Sequence, residues 1–103
     1  MKAYGAFISA LGAYREGDGT LLDRTAVMYL TDHGHARYHT LTNIPVITAG
    51  GASGRLKTGL HVAGNGDSVA RVGLTLQHAF GVSTRTWGTE SNETSKLITD
   101  VLT

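Results

Sequence analysis

The fold is decided by RTAVMYLTDHGHARYHTLTNIPVITAGG, residues 24–51. Two short apolar runs, RTAVMYLT at 24–31 and IPVITAGG at 44–51, lie on either side of a polar segment. Both runs are rich in residues that favour strands, and neither alternates apolar with polar side chains. That pattern predicts two strands that are covered on both faces. Pro45 stands at the start of the second run, where a missing N–H is tolerated.

Helical periodicity appears on both sides of this stretch. Residues 2–16 carry apolar side chains at helical spacing, and Gly17 and Gly19 follow, so we predict an amphipathic helix that ends there. A second helix is predicted to begin near Asp67 or Ser68 and to end at Gly81. Its apolar stripe comprises Val69, Val72, Leu76 and Phe80.

Two further elements complete the predicted order. The segment 58–62 is interpreted as a short strand, and SNETSKLITDVLT at 91–103 as a last helix with its apolar residues facing inward. Helices before and after buried strands are typical of an α/β fold with a small parallel sheet flanked by helices. The length of 103 residues fits one domain spanning 1–103.

Composition excludes several classes of function. The formal net charge is +1 and the nine Lys and Arg residues are scattered, so neither nucleic acid nor a charged membrane surface is expected as a partner. The absence of cysteine excludes disulfides and thiolate nucleophiles. No run approaches the roughly 20 apolar residues that span a bilayer, and the N-terminal segment lacks a signal peptide's unbroken apolar region. As it stands, the chain is expected in the cytoplasm.

The polar segment TDHGHARYHT, residues 31–40, holds three of the five histidines. A carboxylate with imidazoles is a ligand set that suits zinc or manganese, so Asp32, His33, His35 and His39 together predict a metal site in this segment. His61 is a candidate for a further ligand. The plainer alternative is a solvated loop in which Asp32 caps a turn and the histidines face water. Gly34 is expected to let the backbone turn sharply.

The same segment suggests hydrolysis. A metal ion lowers the pKa of its bound water to about 7 and so supplies hydroxide. Asp32 and His35 are the candidate catalytic residues, with His35 as a proton shuttle because histidine titrates near neutral pH. Tyr38 lies within the loop and is a candidate for contact with substrate. Arg55 and Lys57 would attract an anionic substrate.

The order of three features is similar to the C-terminal metal-binding part of the alkaline phosphatase superfamily, which includes sulfatases and phosphodiesterases. These features are an apolar strand that ends in TDHG, a later histidine, and a second strand that begins in NIPVITAGG. The longer run from GDGTLLD to RLKTG is similar to the tails of uncharacterised secreted bacterial proteins related to that superfamily. The resemblance covers residues 15–88. It implies a truncated alkaline-phosphatase-like C-terminal part.

The resemblance also implies roles for residues. Asp32 and His33 would ligate one metal ion, and His39 matches the later histidine that ligates the second. His35 has no counterpart and would be either a substitute ligand or an acid/base group. The superfamily's nucleophile and its other ligands lie upstream of the matched stretch, so a covalent phospho-enzyme mechanism is not carried over.

Two functions of different class follow. The first is a metal-dependent hydrolase of phosphodiesters or phosphotriesters, which acts through a metal-bound hydroxide on a small anionic substrate. The second is a non-catalytic domain, derived from a larger enzyme, that binds metal or associates with itself. A homo-oligomer is expected in either case, because a small truncated sheet leaves edges and apolar helix faces uncovered.

Overall fold

The computed structural model describes every residue from Met1 to Thr103. Its contacts form two compact units, Met1–Gly54 and Arg55–Thr103. The single domain predicted for 1–103 stays a prediction. None of the helices is long and apolar enough to cross a membrane.

The first unit begins with the predicted amphipathic helix. Helix α1 spans Lys2–Ala13 and is shorter than predicted because Tyr14 is already extended, with φ −82° and ψ 114°. The chain continues into a small antiparallel hairpin of β1 (Arg15–Glu16) and β2 (Gly19–Thr20). Gly17 takes a positive φ of 63° in the two-residue turn, a conformation that glycine adopts without steric cost. The predicted helix end at the glycines is therefore wrong: α1 ends at Ala13, and Gly17 and Gly19 belong to the hairpin that follows.

A single helical turn, α2 (Leu21–Arg24), links this hairpin to the apolar runs. Thr20 and Asp23 form a capping box, in which the Thr20 N–H donates to Asp23 Oδ2 at 2.8 Å and the Asp23 N–H donates to Thr20 Oγ1 at 3.3 Å. The hydrogen bonds from the Thr20 backbone and hydroxyl lower the pKa of Asp23, because they stabilise its charged form. The box fixes where the chain enters the next strand.

The two apolar runs form strands, but they pair antiparallel. Strand β3 (Val27–Leu30) lies beside β4 (Val46–Ala49), and Val27 faces Ala49 at one end of the pair. The predicted parallel sheet is therefore wrong. A parallel pair needs a crossover connection, usually a helix, whereas residues 31–45 turn the chain back on itself. The α/β class holds in its coarse form, as helices combined with two small antiparallel sheets.

The strands are also less covered than predicted. Met28, Tyr29 and Leu30 are 37–46% exposed, and Ala52 is the only fully buried residue of the unit. The prediction of strands buried on both faces is therefore wrong for this chain, because three of the four residues of β3 remain more than a third exposed. One anchor holds α1 to the sheet: the Tyr4 hydroxyl lies 3.1 Å from the Val27 carbonyl oxygen and 3.3 Å from that of Ile47. Burial raises the pKa of Tyr4.

The second unit is built on helix α3, Ala70–Ala79, which confirms the predicted helix. Ser68 Oγ accepts the Ala70 N–H at 3.1 Å near the helix start. At the other end Gly81 has φ 85°; its N–H donates to the His78 carbonyl, and the Val82 N–H donates to the Gln77 carbonyl. This is a Schellman motif, so Gly81 ends the helix as predicted.

Two other predicted elements of this unit are wrong. No strand forms at 58–62, where Gly59 has a positive φ of 77° that interrupts an extended run. The last helix is replaced by two 3₁₀ turns, Glu90–Asn92 and Thr99–Val101. Between these turns, Thr94 pairs with Trp87 through two backbone hydrogen bonds, and the backbones of Leu97 and Ile98 bond to side chains of α3.

Those bonds tie the C-terminal segment to α3. The Arg71 guanidinium donates to the Leu97 carbonyl at 3.0 and 3.3 Å, and the Ile98 N–H donates to Thr75 Oγ1 at 2.9 Å. The buried residues Leu74, Thr75 and Ala79 form the small core beneath this segment. Tertiary hydrogen bonds thus override the local helical pattern of 91–103.

Candidate metal-binding loop

The predicted site lies in the connection between β3 and β4, residues 31–45. Asp32 follows β3 after one intervening residue, as predicted. The predicted parallel sheet would have placed this loop at the carboxyl edge of its strands. Here the loop closes an antiparallel pair, so its own turns must position the side chains. We call residues 32–39 the histidine loop.

Backbone hydrogen bonds make the histidine loop compact. The Gly34 N–H donates to the Thr40 carbonyl at 2.8 Å, and the N–H groups of Tyr38 and Thr40 both donate to the His35 carbonyl. His39 has a positive φ of 51°, a left-handed conformation that histidine adopts more readily than most residues. The loop thus reverses the direction of the chain, and hydrogen bonds within its backbone hold the turn from which the side chains project.

Gly34 is required for a different reason from the one expected. Its φ is not positive, so the turn does not depend on the conformational freedom of glycine. Instead, a Cβ at this position would lie 1.7 Å from the Thr42 carbonyl oxygen. Two stretches of the loop backbone approach each other so closely here that only glycine fits.

Three of the four predicted metal ligands lie next to one another. His33 Nδ1 is 3.1 Å from Asp32 Oδ1, and the ring centroids of His33 and His39 are 4.8 Å apart. The Asp32 side chain is 90% exposed and that of His33 27% exposed. With Nδ1 of His33 turned to the carboxylate, Nε2 is the nitrogen left to bind a ligand.

The other side chains of the loop form a second group. The rings of His35 and Tyr38 are 4.8 Å apart, and the Arg37 guanidinium carbon lies 5.5 Å from the centre of the Tyr38 ring. No carboxylate pairs with Arg37. Sequence reasoning missed Arg37, whose planar guanidinium is suited to binding oxyanions.

The loop does not hold a complete metal cage. No set of three or more acidic, histidine or cysteine side chains is arranged to hold an ion. The donors are of the type that zinc or manganese prefers, but they meet in pairs: Asp32 with His33, and His33 with His39. The residues therefore fit a metal ion in their chemistry and order, and a third ligand would have to move into place.

Three predicted site residues lie in the second unit. His61 is exposed and belongs to a segment without regular structure, so the predicted strand does not position it. Arg55 and Lys57 are exposed as well. Their backbones pair with the C-terminus: the Thr103 N–H donates to the Arg55 carbonyl at 3.3 Å, and the Lys57 N–H donates to the Val101 carbonyl at 2.8 Å.

His78 differs from the histidines of the loop. Its Nε2 lies 2.7 Å from the Thr84 carbonyl oxygen, so this nitrogen carries the proton and donates. The side chain therefore ties the end of α3 to the segment that follows it. His78 serves structure in this unit.

Comparison with known proteins finds no counterpart. No family model matches the chain, and no curated protein or solved structure matches it. The relation to the alkaline phosphatase superfamily therefore stays a prediction that rests on the residues of the strands and the histidine loop.

Proposed function

We propose that this chain is a metal-dependent hydrolase of phosphoesters, of the phosphodiester or phosphotriester class, and that the histidine loop is its site. One observation carries the proposal: a carboxylate and two imidazoles are in successive contact immediately after a strand.

Zinc or manganese would be held by Asp32, His33 and His39. When bound, such an ion polarises a phosphoryl oxygen and lowers the pKa of water at the site. Because the Asp32 carboxylate lies against Nδ1 of His33, Nε2 is the nitrogen through which His33 would bind the ion, and Asp32 would orient the ring in addition to binding the ion.

The remaining side chains of the loop handle the substrate. His35 is exposed and its ring makes no hydrogen bond, so it is free to accept or donate a proton. Arg37 has no acidic partner and offers a planar fork of donors that matches phosphoryl oxygens. Tyr38 contacts both of these side chains, so in this proposal it positions them as well as contacting the substrate.

A second candidate is a non-catalytic domain that binds metal or associates with itself. The absence of a complete three-donor cage favours it. In that case the loop would bind an ion only when a further donor is supplied from outside the loop, and no turnover would follow.

Hydrolysis of a phosphodiester and a phosphotriester, measured with zinc, with manganese and with a chelator, separates the two candidates. We expect turnover that the chelator abolishes, that Asp32→Asn removes, and that Arg37→Gln lowers by about tenfold, as expected for one charge-assisted contact. Arg85→Gln is the matched control, because Arg85 is an exposed arginine of the second unit without an ion pair. Metal binding without turnover would select the non-catalytic candidate.

A further inference from the structure

Asparagine is followed by glycine at one place in the chain, Asn65–Gly66. Both residues are exposed and lie in the turn that precedes helix α3. Both have positive φ, 51° and 82°, and the Asp67 N–H donates to the Gly64 carbonyl across the turn at 3.0 Å. Positive φ at both central residues is the pattern of a type I′ turn, for which Asn-Gly is a preferred pair.

The groups of this pair that can react with each other have no other partner. The Asn65 side chain makes no hydrogen bond, and the Gly66 N–H donates to no acceptor. A Cβ built on Gly66 meets nothing within 4 Å, so no neighbouring group shields its nitrogen. Rotation about the Cα–C bond of Asn65 brings that nitrogen to the side-chain amide, and one backbone hydrogen bond across the turn opposes this rotation.

The other two asparagines are exposed as well, but the residues that follow them differ. Asn43 also has a positive φ, of 55°, yet it precedes Ile44, whose β-branched side chain crowds the backbone nitrogen. Asn92 precedes Glu93, whose N–H already donates to a backbone carbonyl at 3.1 Å. Only Asn65 combines exposure with a following amide nitrogen that is both unbonded and unshielded.

We infer that Asn65 is a site of spontaneous deamidation in the folded protein. The Gly66 nitrogen attacks Cγ of Asn65, the C–N bond of the side-chain amide breaks, and ammonia leaves with the proton that the Gly66 nitrogen gives up. The resulting succinimide ring then takes up one water molecule. Cleavage of the ring between nitrogen and Cγ gives aspartate, whereas cleavage between nitrogen and the main-chain carbonyl carbon gives isoaspartate. Such reactions are one reason why asparagine counts among the thermolabile residues.

Either product carries a new negative charge two residues before Asp67. Asp67 already accepts hydrogen bonds from Arg71 Nη1 and Lys96 Nζ, each at 3.0 Å, and these ion pairs link the turn to α3 and to the C-terminal segment. Isoaspartate also adds one methylene group to the main chain of the turn, which disturbs the hydrogen bond between Asp67 and Gly64. The isoaspartate form is therefore expected to hold the start of α3 less firmly than the aspartate form.

Incubation of the folded chain at neutral and at alkaline pH, followed by peptide mass spectrometry, tests the site. The peptide that contains residue 65 should exchange ammonia for water, a net gain of one dalton. We expect Asn65 to react about tenfold faster than Asn43 or Asn92, which corresponds to a modest difference in activation barrier. The reaction should be faster at alkaline pH, because the attacking Gly66 nitrogen must lose its proton.

Ion-exchange chromatography follows the new charge on the whole protein. Asn65→Gln should abolish the acidic form, because its longer side chain would have to close a larger ring, and Asn43→Gln, the matched control, should leave the rate unchanged. Asn65→Asp should elute with the acidic form, and the isoaspartate fraction should melt at a lower temperature than Asn65→Asp.

Three results would overturn the inference. The first is an Asn65 that reacts in the unfolded chain but stays intact in the folded one, since the turn would then protect it. The second is reaction of Asn43 or Asn92 at the rate of Asn65. The third is an acidic form that appears as fast in Asn65→Gln as in the wild type. Equal melting of the isoaspartate fraction and Asn65→Asp would contradict the role given to the turn.

Discussion

Histidines in two regions of this molecule have different surroundings. At the end of α3, His78 donates a 2.7 Å hydrogen bond to a backbone carbonyl and is committed to holding that turn. In the histidine loop, His33 contacts both His39 and the Asp32 carboxylate, and no backbone carbonyl accepts a hydrogen bond from the ring nitrogens of His33 or His39. The difference teaches that an imidazole's partner, more than its presence, separates a structural histidine from a candidate ligand.

The contrast extends to the other polar side chains. Around α3, Arg71 and Thr75 bond to the backbone of residues 97 and 98, so their donors and acceptors serve to hold the segment. In the histidine loop, Arg37 stacks on Tyr38 and has no ion pair. Polar groups near α3 are used by the fold, whereas those of the loop remain available to a ligand.

The largest expected effect breaks the loop at Gly34. Gly34→Ala places a Cβ 1.7 Å from the Thr42 carbonyl oxygen, so the backbone must move and unfolding should become easier by about 2–3 kcal/mol. Chemical denaturation measures the loss, and NMR shifts of the loop histidines report the movement. Gly64→Ala is the control, because a Cβ there meets nothing within 4 Å. Equal effects of the two variants would contradict the close approach.

A slightly smaller effect is expected where the polar group serves structure. Thr75→Val removes the acceptor of the Ile98 N–H in a nearly closed site, and leaving that donor unpaired should cost about 2 kcal/mol. Fluorescence of Trp87, the only tryptophan, follows the second unit during denaturation. Thr86→Val, at an exposed threonine, should change little. An unchanged midpoint for Thr75→Val would mean that this bond does not hold the segment.

Tyr4 offers a test in the first unit. Tyr4→Phe keeps the ring but loses the hydroxyl that bonds to the Val27 and Ile47 carbonyls, so the free energy of unfolding should fall by about 1 kcal/mol. Tyr14→Phe serves as the control because Tyr14 is 65% exposed. If both variants unfold at the same denaturant concentration as the wild type, Tyr4 does not anchor α1 to the strands.

The smallest effect is a pH dependence of the second unit. The hydrogen bond from Lys96, together with the charges of Lys96 and Arg71, lowers the pKa of Asp67 below its usual 3.8. The stabilisation that ionised Asp67 contributes to the folded state is therefore present above about pH 4. It is lost as the pH falls through the lowered pKa that Asp67 has in the folded state. Thermal unfolding from pH 6 downward should show a shallower decline for Asp67→Asn than for the wild type. Parallel curves would exclude a contribution from Asp67.

Local signals in the sequence predict what is local in the structure. The apolar spacing of 2–16 and the glycine at 81 locate α1 and the end of α3, because periodicity and helix ends depend on nearby residues. The grouping of Asp32, His33 and His39 was predictable for the same reason: they are neighbours in the chain. The stacking of Arg37 on Tyr38 depends on the turn geometry of the loop, which the sequence pattern does not specify.

The failures concern contacts between distant residues. The sequence of a four-residue strand does not indicate whether its partner strand is parallel or antiparallel. The antiparallel pairing of β3 and β4 could therefore not be predicted from the sequence. The predicted helix at 91–103 has helical spacing, but the bonds from Arg71 and Thr75 hold its backbone in another conformation. The burial predicted for both faces of β3 is not found within the single chain.

The most direct test of the metal site is the metal content of untagged protein after dialysis against zinc and against manganese, measured by elemental analysis. The wild type should retain one or two equivalents, and Asp32→Ala and His39→Ala should lose them. His78→Gln and Asp100→Ala, at a histidine used by the fold and at an exposed acid, should retain the wild-type amount. A wild type without bound metal, or equal retention in all variants, would contradict the proposed site.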